Sequence, residues 1–160
     1  LLPKCEIEQV MIPGPPTSSA IRGAGWAEAE MLRAGLRGQV DWVTAPSGAS
    51  AKATVANGLI SVEVNAGTPL DWVMFRSYCI GAAHMAYSWV TSEGLSVDEH
   101  GDVHDLTIRS FGVLRSSDTP EIEIISVGDG ANLAAGDAVF AAVAAATWLN
   151  RGCPSDLPTG

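Results

Sequence analysis

The densest collection of groups able to hold a metal or move a proton in this 160-residue chain runs from Asp98 to Asp105, where Asp98, Glu99, His100, Asp102, His104 and Asp105 fall within eight residues. His100 and His104 share a face only on a helix. Asp-Glu-His-Gly-Asp is turn chemistry, and strand residues four apart lie ~13 Å from each other. A solvated hairpin is expected here, and no metal site. His84 stands in a long apolar run, where an imidazole serves as a ligand, a base, or a core residue hydrogen-bonded through one ring nitrogen. Arg76 is the only formal charge between Asp71 and Glu93. A buried guanidinium requires a carboxylate, a phosphate or several carbonyls, and an exposed one pairs with Asp71 or with a residue outside this chain. Gly128-Asp129-Gly130 places a carboxylate on a tight loop, suited to a general base and equally to an ordinary turn. Cys5, Cys79 and Cys153 form no C-x-x-C pair, and an odd number cannot close a disulfide set. Neither a Gly-x-Gly-x-x-Gly run, nor a Walker loop, nor a Ser-His-Asp or Cys-His spacing is present.

The elements that must position these groups are punctuated by Gly and Pro. Cys5 to Ile12 reads as a short strand, ended by Pro13-Gly14-Pro15-Pro16. Ala20 to Leu36 reads as a helix behind the hydroxyl caps Thr17-Ser18-Ser19, with Gly23 and Gly25 weakening its start. Gln39–Thr44, Ala51–Val55 and Leu59–Asn65 are β-rich, and Asn57-Gly58 between the last two is a two-residue hairpin signal, so an antiparallel meander follows. Trp72 to Val90 is the longest apolar stretch. An Arg at a bilayer centre costs roughly 2.5–3.5 kcal/mol, so Arg76, together with His84, makes this a buried helix rather than a membrane span. Leu95–Val97 and Val103–Phe111 read as strands around the acidic turn, Glu121–Ile124 as an alternating strand, and Ala134–Leu149 as an Ala-rich helix. The expected fold is α+β: small antiparallel sheet elements packed against a long apolar helix and a C-terminal Ala-rich helix.

The chain is 47% hydrophobic and 17% charged, and a chain of this size buries roughly 70% of its unfolded surface. One domain over residues 1–160 is expected, with a core that needs no staples. Nine basic against 18 acidic side chains give a net charge of −9, which repels phosphate backbones and anionic lipid alike, so no nucleic acid and no membrane partner is expected. The unpaired cysteines and the lack of a secretory signal fit a cytoplasmic setting. A first residue of Leu1 suggests a piece of a longer polypeptide.

Three blocks resemble the carboxy-terminal part of the large, molybdopterin-binding subunit of the xanthine dehydrogenase and aldehyde oxidoreductase family. Arg76 to Ala86, with the Gly81-Ala82-Ala83 step, resembles that family's small-residue helix beside the cofactor. Leu106-Thr107-Ile108-Arg109-Ser110-Phe111-Gly112 followed by Ser117-Asp118-Thr119-Pro120-Glu121-Ile122 is similar to its T-x-R-x-(Y/F) … D-x-P-x-I block, the most distinctive of the three. Asp137 to Val143 resembles its final Ala-rich helix. Where the family has a Gly-x-Gly-Glu-Pro-Pro-like loop, whose Glu activates the molybdenum-bound hydroxide, this chain reads Val127-Gly128-Asp129-Gly130-Ala131-Asn132.

The resemblance implies a C-terminal domain or small subunit of a molybdenum-hydroxylase-like oxidoreductase, inactive alone. It makes Asp129 the candidate catalytic base and Arg76, Gly81, Ala82 and His84 the candidate cofactor-binding residues, with Asp129, Arg76 and His84 lining one cavity. Molybdopterin is expected in the intact assembly and no cofactor in the isolated chain. The partners implied are the remaining domains or subunits of the same oxidoreductase. One side of the two helices is expected to present an apolar patch that self-associates. The alternative is a non-catalytic assembly or binding module that keeps the fold without the active-site base.

Overall fold

The computed structural model describes residues 19–104 and 107–159, with side chains from residue 25 onward. The strand expected over Cys5–Ile12 lies outside the described residues. In chain order the elements are α1 (Ser19–Arg37), β1 (Val43–Thr44), β2 (Ser50–Ala56), β3 (Leu59–Asn65), α2 (Trp72–Thr91), β4 (Ser96–Val97), β5 (Val103–His104), β6 (Glu121–Ser126) and α3 (Gly136–Asn150). The fold is α+β, a four-stranded sheet of order β1-β2-β3-β6 carrying helices on one face and a separate β4-β5 ribbon.

The Asn57-Gly58 turn forms as the residue types require, with φ of 51° and 76°, and sets the β2–β3 register from Ser50↔Asn65 to Ala56↔Leu59. Period-two alternation then decides the faces. Ala51, Ala53, Ile60, Val62 and Val64 are buried under the helices, while Thr54, Glu63 and Asn65 are exposed on the other face. β6 joins the sheet parallel to β3, with Ile60↔Ile122 and Val62↔Ile124, so the sheet is mixed rather than a pure meander. A parallel pair needs a long crossover, which α2 and the β4-β5 ribbon supply.

α3 is the centre of the molecule. It lies across β2, and α1 and α2 pack on either side of it. Every residue from Ala141 to Thr147 is buried, because a helix apolar all round must be covered all round. Alanines let two helices and a sheet approach one axis; Trp89 and Phe140, ring centroids 5.5 Å apart, fill the wider space toward α2. The expected outward apolar face therefore belongs to α2, and the Ala-rich helix has no such face.

Two expected elements are shorter than their residue types suggested. The run Gln39–Thr44 pairs only at Val43–Thr44. Among the described residues of the expected strand 103–111, only Val103–His104 is strand; Thr107 to Ser110 closes into a turn through Ser110 N to Thr107 Oγ1 at 3.3 Å and Ser110 Oγ to the Thr107 carbonyl at 3.1 Å. Local side-chain bonding of this kind competes with strand pairing. α1, by contrast, runs from Ser19 straight through its glycines.

Candidate functional site

α2 starts where Asp71 caps it, its Oδ1 accepting from the Met74 N–H at 2.9 Å. Between this end of the helix and the segment leading into α3 lies a groove of about 570 Å³. One wall is the α2 stripe Met74, Phe75, Tyr78, Cys79, Ala82 and Met85, whose spacing of one, three and four residues places them on one side of a helix. The other wall is Asn132 to Asp137 with Phe140. The charged groups in it are Asp71 and Asp137, one at the start of each helix. Cys79 is fully buried at the base, and burial pushes its thiol up from 9.0 to about 11, so it stays protonated and inert near neutrality.

The second wall is held by the link between β3 and α2. Thr68 N donates to the Gly130 carbonyl at 3.1 Å and Leu133 N to the Ala66 carbonyl at 2.9 Å. Gly67, at φ 71°, passes so near the Ala131 carbonyl that a Cβ there would collide with backbone. This close approach of two main chains fixes the loop that carries Asp129.

The predicted site residues separate. Ala82 lines the groove. Arg76 is exposed and lines a different depression of about 430 Å³ with Trp72, Val73, Ser77 and Ile80, so the expectation that it shares a cavity with Asp129 and His84 is corrected. The reason is angular: on a helix, residues 76 and 80 stand well around the axis from 74, 78 and 85. Gly81 is half-buried, with nothing within 4 Å of a Cβ built on it. His84 is half-buried and its Nδ1 lies 2.8 Å from Thr119 Oγ1. That hydroxyl also lies 3.0 Å from the Arg115 carbonyl, and when it donates there the imidazole is the donor from Nδ1. His84 thus ties α2 to the approach of β6. Asp129 is exposed on its loop and is not among the residues lining the groove.

The acidic turn is a hairpin. Asp98 Oδ1 accepts from the His100 and Asp102 N–H groups at 2.9 and 3.0 Å, and its Oδ2 lies 2.7 Å from His104 Nε2. The hydrogen bond from His104, then those from the backbone, holds the Asp98 carboxyl below its ordinary 3.8. Among the described residues, no three His, Cys, Asp or Glu side chains gather as a metal site, and no helix is long and apolar enough to cross a membrane.

No family model matches the sequence, and no curated protein matches it. Solved structures do. Quinoline 2-oxidoreductase from Pseudomonas putida 86 is similar over 65% of this chain and 13% of its own, at 16% identity and a TM-score of 0.52. The Cu,Mo-CO dehydrogenase in its carbon monoxide reduced state aligns over 55% of this chain and 12% of its own, at 16% identity and a TM-score of 0.46. Reconstituted CO dehydrogenase from Oligotropha carboxidovorans aligns over 55% and 11%, at 16% identity and 0.45. The likeness to the quinoline enzyme is one of fold. This chain spans about an eighth of that enzyme's length.

The groove was tested against the cofactor that the sequence resemblance implies. An organic phosphate-bearing pterin calls for cations or an array of N–H donors, yet the charged lining residues are both carboxylates. The residues of this chain do not by themselves fit the group. Sequence reasoning missed Asp71, Asp137, Met74, Tyr78 and Phe140 as groove residues. The capping Asp and the three-four spacing of Met74, Tyr78 and Met85 were legible signals for one face, but α3's opposing residues were not.

Proposed function

We propose that this chain is the C-terminal domain, or a small subunit, of a molybdenum-hydroxylase-like oxidoreductase, contributing one wall of the cofactor and substrate pocket and inactive alone. The observation that carries this reading is that residues of two of the blocks carrying the family resemblance, Tyr78, Cys79, Ala82 and Met85 on α2 and Asp137 and Phe140 on α3, wall one groove. The fold likeness to an oxidoreductase supports it. Molybdopterin belongs, in this reading, to the remaining domains or subunits, which supply the cations the groove lacks. The setting is cytoplasmic. Asp129, exposed on the loop leading to the groove, acts as the base only once a neighbouring domain closes over it; Arg76, Gly81 and His84 face that neighbour or support α2. A second reading, a non-catalytic module that keeps the fold without a working base, is favoured by the exposure of Asp129 and its position outside the groove lining.

The test is to purify the longest natural product containing this chain and measure molybdenum by elemental analysis. Stoichiometric molybdenum there and none in the 160-residue chain are the expected results; a molybdenum-free natural product defeats the proposal. In the loaded assembly, Asp129→Asn should lower turnover by about two orders of magnitude or more, the usual scale for a general base, with metal content unchanged. An unaltered rate selects the assembly-module reading.

A further inference from the structure

We infer that the free edge of β6 receives an extended protein segment from outside this chain, which alternates apolar and basic residues and lies down as the next strand of the sheet. β6 is an edge strand six residues long. Glu121 N donates to the Gly58 carbonyl and Val127 N to the Val64 carbonyl, so in this parallel ladder Glu121, Glu123 and Ile125 turn their N–H and C=O groups toward β3. Ile122, Ile124 and Ser126 turn theirs away from the sheet, and among the described residues nothing pairs with them. The opposite edge strand, β1, is two residues long and gives an incoming chain little to pair with. β6 is longer and carries neither the proline nor the lysine that blunt many edges.

The core is unfinished at this edge. Ile60 and Val62 on β3 are fully buried, but their partners Ile122 and Ile124, on the same face of the sheet, are only half-buried. A strand beside β6 with apolar residues on that face covers them. On the other face Glu121 and Glu123 are exposed, and neither makes an ion pair among the described residues. Glu123 accepts a hydrogen bond from Ser61 Oγ at 3.0 Å. Among the described strands of this sheet Lys52 is the only basic residue, and it stands opposite Glu63 with β3 between it and β6.

Charge selects the occupant. A second copy paired through its own β6 would set glutamates beside glutamates, and like charges facing each other across a sheet destabilise the pair. The net charge of −9 adds to that repulsion. A segment with lysine or arginine beside Glu121 and Glu123 meets both carboxylates, while its alternate residues cover Ile122 and Ile124. Main-chain bonds then supply the attachment and the two faces supply the selection.

The experiment adds a capped peptide of alternating valine and lysine, six residues long like β6, to the full 160-residue chain and follows amide exchange by NMR. In the free chain the Ile122, Ile124 and Ser126 amides should exchange far faster than those of Glu123 and Ile125, which face β3. Saturating peptide should slow the first set at least about tenfold and leave the second unchanged. A peptide of alternating valine and glutamate should bind about tenfold more weakly, and the Glu121→Lys/Glu123→Lys variant should reverse that preference, the scale of two cross-strand charge pairs. Circular dichroism checks the fold of the variant, and in the wild type rising NaCl should weaken the valine–lysine complex. Outward amides already protected in the free chain would mean that a segment of this chain or a second copy holds the edge, and would overturn the inference. So would no binding, binding that leaves those amides unprotected, a wild-type chain that does not discriminate between the peptides, or a folded double variant that keeps the original preference. The inference goes beyond the oxidoreductase reading and does not rest on it: amide protection and molybdenum content are measured separately, and either can fail alone.

Discussion

Replacing Gly67 by alanine isolates the contact that holds the groove's second wall. Two effects act at this site. At φ 71° an L side chain adopts a left-handed conformation costing about 1–2 kcal/mol. A less flexible unfolded chain offsets about 0.4–1 kcal/mol of that. The added methyl also strikes the Ala131 carbonyl, a backbone atom anchored by Thr68 N to Gly130 O and Leu133 N to Ala66 O, so it cannot rotate away as a side chain would. Overpacking of that kind costs about 1–3 kcal/mol, giving a total of about 2–4 kcal/mol. Gly38 is the control. It has a similar φ of 68° with open space around its Cβ, so Gly38→Ala should cost only about 1 kcal/mol. Urea denaturation of both variants beside the wild type measures the difference, with midpoints compared at equal m-values. Equal losses would refute the close-approach argument, since they would leave only the backbone conformation that the two sites share.

Asp71→Ala should remove the cap of α2 and cost about 1 kcal/mol in the same assay, whereas Asp71→Asn, which keeps an acceptor for the Met74 N–H, should cost a few tenths. Cys79, whose thiol is raised from 9.0 to about 11 by burial, should react with a disulfide reagent at pH 8 far more slowly than half-buried Cys153, followed by mass spectrometry of the labelled peptides. Because the folded value is the higher one, the stabilisation is complete below pH 9 and is lost as pH rises from 9 toward 11, where the unfolded chain ionises first; a melting temperature that rose over that interval would contradict it.

What the residues alone determined was local. Asn57-Gly58 fixed a hairpin because both positions need positive φ, and the alternation of Ile60, Val62 and Val64 fixed which face is buried. The apolar length of α2 and α3 was equally plain. The tight Thr107–Ser110 turn was not, since hydroxyl-to-backbone bonds within four residues outcompeted a strand that β-propensity favoured.

Tertiary structure decided the remainder. The parallel pairing of β3 with β6 joins residues about sixty positions apart, and no local pattern encodes which open edge a strand will choose. Nor does composition say that α3, rather than α2, would be enclosed on every side: both are strongly apolar, but only α3's alanines are small enough for a sheet and two helices to close upon one axis. The same packing turned Arg76 away from the groove, gave His84 to Thr119, and placed Asp71 and Asp137 in the lining of one groove, which sequence reading had not foreseen. A helix states its own faces in its sequence, but which face meets a neighbour depends on where the other elements come to rest.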